Sequence, residues 1–140
     1  MAASFASLQS LPIATVTGLV LRIKKSYAPT TIGSGIAPTD VHVFMQISNS
    51  DVGNDLAVAT DWPLNDYVTY GSSTDLTVWG ITASTIKNNI KNGHLGFGIV
   101  AVNNNPDIDS VTAFVYEFEV TLYYTALSGA PMMAMMGVGM

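Results

Sequence analysis

The chain has 140 residues, no cysteine and a net charge of −5, with 49% apolar and only 11% charged residues. That length supports one domain with a real core and excludes two domains plus a linker. The acidic balance argues against a phosphate-tracking nucleic-acid surface, and the lack of cysteine removes disulfides, thiolate metal sites and cysteine nucleophiles. No apolar run reaches the roughly 18 residues of a membrane span, and no basic segment precedes an apolar one as in a standard signal peptide. Charge is sparse against the roughly 25% of an average domain. Such a surface is either covered by Ser, Thr and Asn or covered by neighbouring subunits, and the second reading is preferred because a dispersed monomer needs charge.

Residues 1–12 are small, weakly apolar and uncharged, and they read as an N-terminal arm, since serines interrupt every turn and nothing caps a helix. Residues 13–27 read as a strand in which Leu19, Leu21 and Ile23 alternate with Val20, Arg22 and Lys24. One face is core, and the other becomes charged. Gly18 marks a bulge or a close crossing by another backbone. Residues 28–40 form a Pro/Gly/Thr loop at a rim. In residues 41–47, Val43 and Met45 share a face with Val41 and Ile47, opposite His42, Phe44 and Gln46. The polar cluster at 48–55 then turns the chain into residues 56–60, the expected return strand of a hairpin.

Trp62-Pro63 is expected to cap one end of the core, residues 67–71 read as a short edge strand, and Trp79 brings the chain back inside. Residues 84–91 read as a two-turn helix with Ile86 and Ile90 on one face, a cap at Thr82 or Ser84, and a stop at Asn92-Gly93. It is too short to organise the domain and serves as a crossover at an open end. In residues 95–102, Leu95, Phe97, Ile99 and Ala101 line one face, while Gly96 and Gly98 leave a groove for an aromatic side chain of the last long strand.

That strand, residues 112–125, puts Phe114, Tyr116, Phe118, Val120, Leu122 and Tyr124 on one parity and Glu117, Glu119 and Thr121 on the other. Its length of roughly 40 Å means that it crosses a whole sheet or is broken by a bulge. The odd-numbered face turns from apolar to acidic after Val115, so the first half is expected to be covered on both sides and the second half to face water on one. Residues 126–140 carry no charge and hold five of the seven methionines. With alternation lost, they read as a C-terminal tail that anchors on another subunit through Pro131, Met132, Met133, Met135, Met136 and Met140, and that is dispensable for the fold. The fold class is all-β: an antiparallel, jelly-roll-like sandwich over 13–125, with one short helix and two extended arms.

Little in the chain suggests chemistry. His42 and His94 are isolated in sequence, and Glu117 and Glu119 lack a third group, so both pairs read as surface features. Asn103, Asn105, Asp107 and Asp109 offer oxygen ligands at a density that suits Ca²⁺, yet they miss the EF-hand spacing and equally suit a turn. No nucleophile elbow, phosphate loop or zinc spacing is present. No enzyme activity and no cofactor are expected. Trp62, Tyr67 and Tyr70 are the candidate aromatic platform for a carbohydrate or host receptor, against the simpler reading that they pack in the core or its rim.

One further pattern is the order of segments: Leu11-Pro12 through Thr17-Gly18 to Arg22-Ile23, then Trp62-Pro63, Tyr67 to Gly71, Thr74-Asp75-Leu76 with Trp79-Gly80, Phe97-Gly98-Ile99, and Val120 to Thr125. This order resembles a β-sandwich domain of structural proteins in tailed bacteriophages. The resemblance covers most of residues 11–125 and implies a non-enzymatic virion component, in the capsid, its decoration, a head fibre or the tail. Its implied partners are copies of itself and other virion proteins. Two departures stand out. Thr77 and Val78 separate Asp75-Leu76 from Trp79-Gly80, and only eleven residues precede Pro12 where such chains have further strands. The body is therefore a compact version of the fold or is completed by another chain.

Overall fold

The computed structural model describes residues 2–4, 6–29, 37–103 and 111–139. Among the described residues, eight strands form two antiparallel four-stranded sheets: β1 (Ala2–Ser4), β2 (Ile13–Pro29), β3 (Thr39–Ile47), β4 (Ser50–Val52), β5 (Asp66–Ser72), β6 (Leu95–Val102), β7 (Val111–Ala126) and β8 (Pro131–Gly139). The first sheet runs β1-β6-β3-β4 and the second β5-β2-β7-β8. Their inner faces meet in one cluster that includes Leu19, Leu21, Ile23, Val43, Met45, Trp79, Phe97, Ile99, Phe118, Val120, Leu122 and Tyr124, all buried. The sandwich class read from the strand pattern therefore stands. Trp79 anchors the middle, its ring edge-on to Phe97 at 5.5 Å and its indole N–H donating to the Leu19 carbonyl at 2.9 Å.

The helix α1 (Ala83–Lys91) is capped by the Thr82 hydroxyl, ends at Asn92 and buries Ile86 and Ile90. It lies beside β2. Gly18 is both features expected of it: the β2–β7 register shifts beside it, and a Cβ there would meet the Ser73 carbonyl oxygen at 2.0 Å.

Both terminal segments, expected as arms, pair into the sandwich instead. Ala2–Ser4 hydrogen-bonds along β6, and a 3-10 turn at Ala6–Ser10 follows, with Leu8 in the core. The tail makes a hairpin with β7, so that Phe118, Val120, Leu122 and Tyr124 have Val138, Met136, Ala134 and Met132 as partners. Alternation is weak in the tail because β8 is an edge strand that leans on the core through Ala134 and Met136. The tail is thus a strand of the second sheet rather than an extended arm.

Three other expectations are corrected. The hairpin partner of β3 is Ser50–Val52, reached through the left-handed residues Ser48 and Asn49, while residues 56–60 form no strand. The aromatic opposite Gly98 is Phe44 of β3, since β7 lies in the other sheet. Phe114 and Tyr116 are not core residues: they are 37% and 43% exposed and stack on each other at 6.0 Å. The cause is a bulge. Lys24 pairs with Glu117 and Lys25 with Val115, which leaves Tyr116 unpaired and moves Phe114 to the outer face. The expected order of cover along β7 is therefore reversed, with its first half largely exposed and its second half buried.

Candidate functional site

The parity of β2 that carries Leu19, Leu21 and Ile23 inward also carries Lys25 inward, where its side chain is 1% exposed. In β3 the register shift between Asp40 and His42 leaves Val41 as the extra residue, which turns Asp40 to the inner face. Lys25 Nζ then meets Asp40 Oδ1 at 2.6 Å across the two sheets. The Trp62 indole N–H donates to the same oxygen at 2.8 Å, while Tyr70 Oη at 2.6 Å and the Val58 N–H at 3.3 Å donate to Oδ2. Lys25 Nζ also contacts Tyr70 Oη, and it sits 4.8 Å from the Trp62 ring and 5.0 Å from the Tyr70 ring.

Burial pushes the Lys25 ammonium below its ordinary range, and the hydrogen bond and charge of Asp40 recover part of that loss. Burial, with the bond to Asp40, raises the Tyr70 phenol far above its ordinary value. No buried side-chain polar atom lacks a partner among the described residues. Chemically, the cluster is a closed ion-pair clamp between the sheets. Parity marked Lys25 as inward in the sequence, but the bulge that turns Asp40 inward left no such mark.

The outer face of β2 carries a second, open cluster. Arg22 Nη1 bonds Glu119 Oε1 at 2.8 Å and its guanidinium covers the Tyr67 ring at 4.2 Å, while Tyr67 Oη donates to Glu117 Oε2 at 2.9 Å. That bond to Glu117 raises the Tyr67 phenol. Glu117 and Glu119 are therefore tied to neighbours across the sheet. Of the three rings considered as a binding platform, Trp62 and Tyr70 are buried and only Tyr67 is half-exposed, under Arg22. The three do not form a common surface.

His42 Nδ1 lies 2.5 Å from Asp55 Oδ2 at the surface, beside a shallow hollow lined by Phe44, Asp51 and Asn54. Burial pushes the Asp55 carboxyl up, but the Val43 N–H, His42 and the Ala57 N–H outweigh it and hold it below the ordinary carboxylate range. His94 is exposed in the turn before β6. Of the calcium candidates, Asn103 is described, while Asn105, Asp107 and Asp109 lie outside the described residues. Among the described residues, no three His, Asp or Glu side chains converge as a metal needs, and no helix is long and apolar enough to cross a membrane.

The remaining distinctive surface is the β7–β8 hairpin. Met133 and Met135 are 60% and 62% exposed, Met132 and Leu127 also face solvent, and Pro131 is exposed at the start of β8. Met136 leans on the core, and Met140 lies outside the described residues. No family model, curated protein or solved structure matches the chain.

Proposed function

We propose that the protein is a structural subunit without catalytic activity, of the kind that builds virions of tailed bacteriophages, and that it joins its assembly through the β7–β8 hairpin. The observation that carries this reading is the exposed, uncharged edge strand β8, with Met133 and Met135 outward on a chain that is otherwise acidic. Apolar side chains left in water on an unprotected edge are the usual mark of a contact surface. The virion context rests on the order of segments, which resembles that of phage β-sandwich domains. The clamp at Lys25 and Asp40 supports a load-bearing role rather than a reactive one, because each of its polar groups is already partnered.

The test is to tag the protein in a producing phage and quantify it in gradient-purified particles. Stoichiometric recovery with the particles is expected, along with loss of incorporation for Met133→Glu and Met135→Glu at unchanged thermal stability. Absence of the wild-type protein from purified particles overturns the virion assignment.

A further inference from the structure

We propose that two copies of the chain pair through β8, antiparallel about a two-fold axis at Met135, so that their four-stranded sheets join into one of eight strands. This rests on the reading that β8 is the assembly surface, and it names the partner as a second copy. Four strands lie at sheet ends, and they differ. β1 and β4 have three residues each, and β5 starts at Asp66 and ends beyond the left-handed Gly71, against which Trp79 packs. β8 has nine residues, is paired to β7 from Pro131 to Gly139, and, among the described residues, has no strand on its other side. It has no charge, and after Pro131 it has no proline, so it lacks the devices that keep a sheet edge from pairing.

The side-chain sequence fits its own copy. Met135 is the midpoint of Pro131–Gly139, so an axis there overlaps all nine positions and uses the whole free edge. In that register Met133 comes opposite the partner's Gly137, and Ala134 comes opposite the partner's Met136. Met133 and Met136 thus meet small residues, Met132 comes opposite the partner's Val138, and only Met135 meets its own kind. An axis at Ala134 instead sets Met133 against the partner's Met135 and Met132 against the partner's Met136, which crowds both faces.

The carboxylates nearest the joint are anchored within the sheet. Glu119, which is next to Gly137 in the β7–β8 register, is bonded to Arg22, and Glu117 Oε2 to Tyr67, both on the side away from the free edge, while Glu117 Oε1 lies over Gly137, 2.8 Å from where a Cβ would sit. On the outer face, Met133 and Met135 of the two copies form one continuous apolar ridge across the joint.

The chain contains no cysteine, so single cysteines report cleanly. Residues directly opposite in an antiparallel pair have Cα atoms about 4.5–5.5 Å apart, within the roughly 4.4–6.8 Å that a disulfide spans. Met135→Cys is expected to give a disulfide-linked dimer under mild oxidation, whereas Met133→Cys, set about 13 Å from its own copy in this register, is not. Sedimentation of the wild type should show a dimer, and Met135→Glu should abolish it while keeping the thermal midpoint of wild type diluted to its monomeric range. A wild-type monomer at all concentrations overturns the pairing, as does a dimer in which Met135→Cys links no faster than Met133→Cys. If either result is accompanied by lost particle incorporation of Met135→Glu, β8 docks on a different protein, and the structural-subunit reading stands without this one.

Discussion

On each face of β2 a cation meets carboxylate and tyrosine side chains from other strands, and the two clusters differ in little but water. Inside, Lys25, Asp40 and Tyr70 are enclosed with Trp62; outside, Arg22, Glu119, Glu117 and Tyr67 lie along the sheet with Arg22 40% exposed. Desolvation makes the inner pair indispensable once formed, because removing one partner strands the other in a medium that cannot solvate it. Water and salt screen the outer pair, so its loss changes little. Similar contacts thus carry different weight according to the face they occupy.

The largest expected effect breaks the inner cluster. Asp40→Ala leaves Lys25 buried without its counter-charge and should cost about 3–5 kcal/mol in urea unfolding. Replacing both members, as Lys25→Met with Asp40→Leu, should recover much of that loss. A double variant as unstable as the single one would show that the clamp itself stabilises the fold, beyond the cost of an orphaned charge.

The same contrast of faces applies along β7. Phe118→Ala empties a fully buried site and should cost about 3–5 kcal/mol. Phe114→Ala, beyond the bulge and on the outer face, should stay within about 0.5 kcal/mol of wild type. Equal costs would contradict the parity switch at Tyr116.

A smaller effect is read in alkaline solution. The folded Tyr70 holds its proton well above the ordinary tyrosine value of about 10, while the unfolded chain releases it there. Above pH 10 the native state therefore binds more protons, and stability present below that pH is lost as pH rises. Lys25 acts in the opposite sense: its lowered folded value makes its contribution increase with pH up to its ordinary value near 10.5. Tyr70→Phe should lower stability at pH 8 by about 1–3 kcal/mol. It should also flatten the decline above pH 10 by up to about 1.4 kcal/mol per pH unit. Unfolding midpoints across pH 8–12 check both.

The smallest effect is outside. Arg22→Ala should cost about 1 kcal/mol or less, and the difference should shrink in high salt. A larger, salt-independent loss would mean that Arg22 contributes mainly by packing on Tyr67, and it would blur the contrast between the faces.

Several of these features were legible beforehand. Leu19, Leu21 and Ile23 shared a parity, Ile86 and Ile90 a helix face, and Gly18 marked a close crossing, all from spacing alone. The same rule extended by two residues gives Lys25 the inner face, a step its charge discouraged. Along β7 the apolar positions change from odd, at Val111, Ala113 and Val115, to even, from Phe118 onward, which is the trace of the bulge at Tyr116. The exposed rings of Phe114 and Tyr116 continue the even series and conceal that change.

Periodicity alone was enough for the fold class: period-two segments too long and too apolar for loops must pair, and they bury their stripes by packing two sheets face to face. What it left open was decided by tertiary contacts. One extra residue at Val41 and another at Tyr116 moved Asp40 inward and Phe114 outward, because a bulge reverses every face beyond it and its position is fixed by the partner strand's register. The tail became a strand for the same reason. Nothing in its alternation requires one, but the free edge of β7 supplies backbone partners along its whole length.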